Sequence, residues 1–174
     1  MYRVGDLIVY GSTGVCRITG IASLDSQKTK ERQFYILNPI FQQGIIYTPI
    51  DTKVYMRPVI SAEEAESLIK MIPKVKEMAY YDPRKNQFKA HYAEALKSHN
   101  YDELIELLKS IYAKKQSERK VGLVEERMMK QAEELLYGEL SVALDIPRDM
   151  VLDYIISRVK GTAAERVKDN ECNA

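Results

Sequence analysis

Val9-Tyr10-Gly11-Ser12-Thr13-Gly14-Val15 is the run from which the fold of this chain is read. Two short hydrophobic stretches flank a polar tip with a glycine at each end, the composition of a strand-to-strand turn. The tip offers no trio of nucleophile, base and orienting acid. Working outward, Leu7 to Tyr10, Val15 to Ile21, Gln33 to Leu37, Ile45 to Thr48 and Val54 to Arg57 are short and rich in β-branched or aromatic residues. Turn residues punctuate them at Gly5-Asp6, Gly11 to Gly14, Asn38-Pro39, Gln42-Gln43-Gly44 and Pro49 to Asp51. The polar run Asp25 to Arg32 predicts a long hairpin loop.

Five strands in under 60 residues cannot make two full sheets, so the economical packing is a small, strongly bent SH3-like or Tudor-like barrel. After Pro58 the periodicity changes from two to helical. Ser61-Ala62-Glu63-Glu64 has the spacing of a capping box, which starts a helix from Ala62 to about Met71, before Pro73. Lys74 to Asp82 predicts a linker, and Pro83 opens a helix to about Ser98 with Phe88, Tyr92, Ala95 and Leu96 on one side. Asn100 caps the next, whose apolar stripe is Leu104, Leu107, Leu108, Ile111 and Tyr112 and whose basic end suits the helix dipole. Gly122 breaks it. Leu123 to Leu144 resumes with Met128, Ala132, Leu135, Leu136 and Leu140 at helical spacing, and a last helix, with Pro147 in its first turn and its end near Gly161, buries Val151, Ile155 and Val159. The reading is therefore α+β in two domains: a five-stranded barrel over 1–60 and an all-α bundle of about five helices over 61–161. A fraying tail over 162–174 completes it.

Composition narrows the function classes. Of 174 residues, 45% are apolar and 29% charged, the profile of a folded globular chain, and the net charge is only +1. Up to Ile60 seven basic residues stand against four acids; beyond it 19 stand against 21. Neither half advertises nucleic acid by bulk charge, so any such contact must be local. Two cysteines make neither a disulfide framework nor a zinc site, and Cys16, alternating with Ile18, reads as a small buried hydrophobe. The N-terminus lacks a signal peptide's apolar core, and no apolar run reaches the roughly 18 residues of a membrane span. A cytoplasmic protein without membrane attachment is expected.

Enzyme chemistry finds little support. His91 and His99 have no Cys, Asp or Ser at a triad or metal spacing, and no helix N-terminus follows Gly11 or Gly14 to bind a phosphate. Adjacent acids such as Glu63 and Glu64 point in different directions from a helix. No catalytic residue, metal or cofactor is expected. Binding finds more. Ile45-Ile46-Tyr47-Thr48 reads either as an edge strand open to a partner or as an ordinary inner strand. Tyr10, Tyr35, Tyr47 and Tyr55 either pack in the core or form an aromatic cage for methylated lysine, as in a peptide-binding adaptor whose helices only dimerise. Tyr80 and Tyr81 precede Arg84, Lys85 and Lys89, an interleaving of aromatics and cations suited to gripping phosphates and stacking on bases; the alternative is a tyrosine staple under solvated cations.

The succession of motifs resembles the CarD-like family, whose first domain is shared with transcription–repair coupling factors. The likeness runs through Val9-Tyr10 to Gly14-Val15, Phe34-Tyr35-Ile36-Leu37, Tyr47-Thr48-Pro49 and Met56-Arg57-Pro58-Val59-Ile60-Ser61. It continues in Phe88-Lys89-Ala90, Leu96-Lys97-Ser98, Asp102-Glu103-Leu104, Glu126-Arg127, Ala132, Leu135-Leu136 and Glu139-Leu140, covering about Tyr2 to Leu144. The resemblance implies a bacterial transcription regulator without catalysis, nucleoid-associated through RNA polymerase. Its barrel would dock on the polymerase β subunit by sheet extension, with Leu24, Ile45, Ile46, Tyr47 and Thr48 as contacts. Its helical domain would meet promoter DNA at the upstream edge of the melted bubble through Tyr80, Tyr81, Arg84, Lys85 and Lys89, and modulate the open complex. Family members commonly carry a tryptophan wedge near the start of the helical domain; this chain has no tryptophan, and Arg84 falls at that position. Leu24 and Tyr47 stand where some relatives carry arginine, implying a more apolar polymerase contact. Oligomeric state, promoter choice and the sign of regulation are left open by these residues.

Overall fold

In a computed structural model, residues 1–26, 29–76, 85–117 and 120–160 are described, with the side chains of all but 24–26, 29–31, 85–89 and 91 among them. The chain separates into two compact units, Met1–Val59 and Ile60–Ala174. The first is a five-stranded antiparallel sheet and the second is helical, the two-domain α+β layout read from the sequence.

The sheet comprises β1 (Leu7–Tyr10), β2 (Gly14–Ser26), β3 (Thr29–Pro39), β4 (Ile46–Pro49) and β5 (Met56–Pro58), in the spatial order β4-β3-β2-β1-β5. The glycine-bounded tip forms one 3-10 turn, Gly11–Thr13, and holds Gly11 at φ +43° and Gly14 at φ +85°, left-handed values that favour glycine. It brings Val9 opposite Val15 and Tyr10 opposite Gly14. Alternate residues then turn inward, so that Ile8, Cys16, Ile18, Tyr35 and Leu37 form a closed cluster, with Tyr2, Tyr10, Ile46, Ile50 and Met56 packed around it. The sheet is curled. Although β2 and β3 lie between β1 and β4, the Tyr10 hydroxyl meets Thr48 Oγ1 at 3.2 Å across the interior.

The polar run Asp25 to Arg32 is not the long loop expected. Strand β2 continues to Ser26 and β3 begins at Thr29, with Leu24 paired to Arg32 and Ser26 to Thr29. Backbone ladder bonds are indifferent to side-chain polarity, so a polar segment extends a hairpin whose register its inner half has already set. A bulge between Ile18 and Gly20 supplies local twist, and the hydroxyl of the extra residue, Thr19, donates to the Ile36 carbonyl at 3.2 Å.

In the helical unit, α1 (Ala62–Met71), α2 (Lys85–Ser98), α3 (Tyr101–Gln116), α4 (Leu123–Leu144) and α5 (151–160) surround one core. The capping box forms as read: Glu64 N–H donates to Ser61 Oγ at 3.2 Å and Ser61 N–H to Glu64 Oε2 at 2.8 Å. Asn100 caps α3 by accepting from Asp102 N–H at 2.9 Å. The centre is α3, whose Leu104, Ile105, Leu107, Leu108 and Ile111 are buried, against Tyr92, Ala95 and Leu96 of α2 and Ala132, Leu136 and Leu140 of α4. On α4 the buried methionine is Met129; Met128 is only partly buried. Pro147 precedes a 3-10 turn, Arg148–Met150, and α5 then buries Val151 and Ile155 while Val159 is partly covered.

Polar ties fix the register of these helices. Glu139, only 3% exposed, accepts from Ile60 N–H at 3.2 Å and from the Tyr101 hydroxyl at 2.7 Å. Gly122 donates to Glu125 at 2.7 Å, and the same carboxylate pairs with Lys114 at 2.7 Å, so the basic end of α3 is met by a side chain of α4 as well as by its own dipole. The Lys109 ammonium donates to the Ile72 and Val75 carbonyls beyond α1. The Tyr112 phenol donates to Glu133 at 2.6 Å; burial first, and then this bond, raise its pKa far above the ordinary phenol value. The predicted helix start at Pro83 and the tail over 162–174 lie outside the described residues.

Removing Glu139 strands two covered donors, whereas removing Ser61 Oγ releases one amide to water. We expect Glu139→Ala to cost about 2–3 kcal/mol and Ser61→Ala about 1 kcal/mol in chemical denaturation; equal costs would contradict a structural role for the carboxylate.

Candidate functional site

The site is built on β4 and its neighbours. Among the described residues β4 pairs only with β3, through Leu37↔Ile46, Ile36↔Tyr47, Tyr35↔Thr48 and Phe34↔Pro49, and stands at the end of the strand order. Of the two readings of Ile45 to Thr48, the edge strand is the one observed. Such a strand presents backbone N–H and C=O groups along its open side. Strand alternation then divides the five docking candidates. Tyr47 and Ile45, 61% and 58% exposed, face outward. Thr48 is buried and bonded to Tyr10, and Ile46 packs on the inner cluster, so these two can offer a partner only backbone. Leu24 lies in β2 opposite Arg32; its side chain is outside those described.

Register adds residues that reading the sequence missed. Tyr35 and Leu37 point inward, which turns Phe34 and Ile36 to the outer face beside Pro49 and Tyr47. Across β2 the same face continues through Gly20, opposite Ile36, and Ala22, opposite Phe34. These residues are half-buried. A Cβ on Gly20 would lie 3.1 Å from Ile36 Cδ1, so the glycine lets that isoleucine lie flat on the sheet. A signal was present in the unbroken apolar run Phe34-Tyr35-Ile36-Leu37. A half-buried strand alternates; one apolar at every position has two faces to cover. A charged pair, Arg32 and Asp51 at 3.5 Å, borders the strip.

The tyrosine cage does not assemble from its four candidates. Tyr35 is 2% exposed, its ring edge-on to Tyr2 and its oxygen accepting from Tyr2 N–H at 3.0 Å. Tyr10 is engaged with Thr48, which leaves two outward rings, Tyr47 and Tyr55, and a cage needs three walls. The cleft at the barrel mouth is lined by Met1, Tyr2, Tyr35, Ile50, Thr52, Val54 and Met56 and brings together no acid–base pair. Among the described residues no group of three His, Cys, Asp or Glu could hold a metal ion, and no helix is long and apolar enough to cross a membrane.

Tyr80, Tyr81 and Arg84 lie outside the described residues. Lys85 and Lys89 fall in the first turns of α2, their side chains undescribed.

An open, uncharged sheet edge on a curled barrel, followed by a capped helical bundle, defines a two-domain recognition protein. Family comparison makes the class specific: residues 2–60 match the CarD-like/TRCF RID domain, and residues 76–155 match the CarD C-terminal domain. The chain belongs to the CarD-like family and is a transcription regulator of the kind that interacts with RNA polymerase.

Beneath the outer strip, burial pushes the Cys16 thiol up to about 11 from its ordinary 9.0. The neutral thiol is the form the folded state favours. Its contribution is complete below the unfolded pKa and is lost as pH rises through the folded one. Between pH 9 and about 11 the protein should therefore lose stability more steeply than its Cys16→Ala variant in urea titrations. Parallel slopes would show that the thiol is not closed off.

Proposed function

We propose that residues 1–60 dock on the β subunit of RNA polymerase through the open edge of β4, and that residues 61–161 carry the promoter contact. The observation that carries this reading is the β4 edge, with Tyr47 outward at 61% exposure and no strand beyond it among the described residues. An incoming strand would complete the ladder and satisfy its open backbone groups, the means by which sheet edges take partners. The chain acts without catalysis in this reading, and polymerase and DNA are its macromolecular partners.

The DNA contact is assigned to Tyr80, Tyr81, Arg84, Lys85 and Lys89, where cations can hold phosphates and phenols can stack on unpaired bases. At the upstream edge of the bubble such contacts favour the melted promoter over the closed one and so modulate open-complex stability. An arginine at position 84 enters a narrow minor groove without unstacking bases as an indole would, leaving the wedge role to the tyrosines. A few cations bind weakly and lose affinity in salt. Tethering to polymerase raises their effective concentration into a useful range.

The two surfaces separate by mutation. Tyr47→Glu should weaken binding to the isolated β lobe by about tenfold or more while leaving the protein folded. Arg84→Glu with Lys85→Glu should weaken contact with a forked promoter and leave lobe binding intact. Absence of wild-type lobe binding at low salt removes the docking assignment, and an unchanged promoter footprint removes the two cations from the site.

A further inference from the structure

We infer that Lys109 is a positioning residue for the promoter contact. By holding the Ile72 and Val75 carbonyls to α3, it fixes the point from which the chain sets out toward Tyr80, Tyr81 and Arg84. This rests on the promoter contact proposed above and adds the residue that presents it.

Helix α1 runs into a 3-10 turn, Ile72–Lys74, with Pro73 inside it. Val75 then takes φ −67° and ψ 122°, the extended backbone of a chain leaving a helix. Helix ends carry carbonyls without intrahelical donors and a partial negative charge. The Lys109 ammonium, on α3, donates to two carbonyls at this end, that of Ile72 at 3.3 Å and that of Val75. Lys109 stands between Leu108 and Ser110, both buried, and its bonds are partly covered, so the carbonyls offset hydration the cation has lost. Both bonds go to main chain. They fix where the backbone runs rather than which side chain packs there. Ile72 and Val75 also touch the helical core, but apolar contact tolerates sliding, whereas a hydrogen bond weakens steeply as the chain shifts.

The far end of the same stretch is held by the same helix. Tyr92, Ala95 and Leu96 of α2 share one core with Leu104, Leu107, Leu108 and Ile111 of α3. Nine residues, 76–84, join Val75 to the start of α2 at Lys85, and Tyr80, Tyr81 and Arg84 are among them. With Val75 tied, Tyr80 lies five residues beyond a fixed point, a reach of at most about 18 Å. Without the tie the fixed point retreats to Met71, the last residue of α1, and up to four more residues must be ordered when the segment meets DNA. Fixing the backbone of one residue costs roughly fivefold or more in an equilibrium constant. Lys109 completes that ordering on folding, before DNA arrives.

The test titrates a fluorescent forked promoter with the full-length chain at low salt, with isolated β lobe in parallel. Lys109→Met keeps the aliphatic stem and removes the donors. It should weaken promoter binding at least about fivefold, with lobe binding and the slope of log affinity against log salt unchanged. Lys109→Arg returns the donors and should recover most of the loss. A slope reduced by about one unit makes Lys109 a phosphate contact in its own right, and unchanged affinity in folded Lys109→Met makes it a structural tie only; either overturns the assignment. Should Lys109→Met not fold, Gly-Ser-Gly-Ser inserted between Val75 and Lys76 lengthens the same stretch with Lys109 in place. Weakened promoter binding, by about twofold, is expected of that variant, and unchanged binding overturns the positioning role. Arg84→Glu with Lys85→Glu, run beside these, separates the two levels: unchanged promoter affinity there overturns the DNA contact itself, and the role of Lys109 with it.

Discussion

A five-stranded sheet of fewer than 60 residues can curl around one small set of side chains, here Ile8, Cys16, Ile18, Tyr35 and Leu37, and that curl governs what the rest of the barrel can do. Fully burying side chains of this size stabilises by about 1.5–3 kcal/mol each, little enough in total that the inner face must be filled completely. The Tyr10 to Thr48 bond closes the curve between strands that are not neighbours in the ladder. The same geometry that closes the interior leaves β4 at the border and turns Tyr47 away from the core.

The helical unit solves a different problem. Its core is continuous around α3, and its polar ties are internal: Glu139 between Ile60 and Tyr101, Glu125 between Gly122 and Lys114, and Glu133 beneath Tyr112. A carboxylate that joins two elements fixes their register more tightly than apolar packing alone, because the bond is lost when either element slips. Rigidity of this kind suits a domain proposed to hold a short cationic and aromatic segment against DNA. The weak contacts of that segment depend on being presented in one place.

Much of this fold is legible from local chemistry. Ser61 with Glu64, Asn100 before Asp102, and the glycines at 11 and 14 act within a few residues of themselves, so their roles survive whatever the remainder of the chain does. Helical stripes are legible for the same reason, since their period is intrinsic to the element. Strand features are different. Whether Ile45 to Thr48 lies at an edge depends on which strand sits beside it, and the polarity of Asp25 to Arg32 hides a ladder that its neighbours enforce. The outer strip was the least legible part. Phe34 and Ile36 are as apolar as the inward Tyr35 and Leu37, and only the register with Tyr47 and Ala22 shows which face they occupy.

The proposed meeting of the β4 edge with polymerase has a direct backbone readout. Hydrogen–deuterium exchange on the full-length chain, with and without the β lobe, reads that edge directly, because an added strand protects backbone amides whatever the side chains contribute. Slowed exchange is expected at Ile45 to Thr48 on complex formation, with β5 unchanged. Protection at β5 or within the helical unit, with the β4 amides exchanging as in the free protein, would rule out docking at this edge.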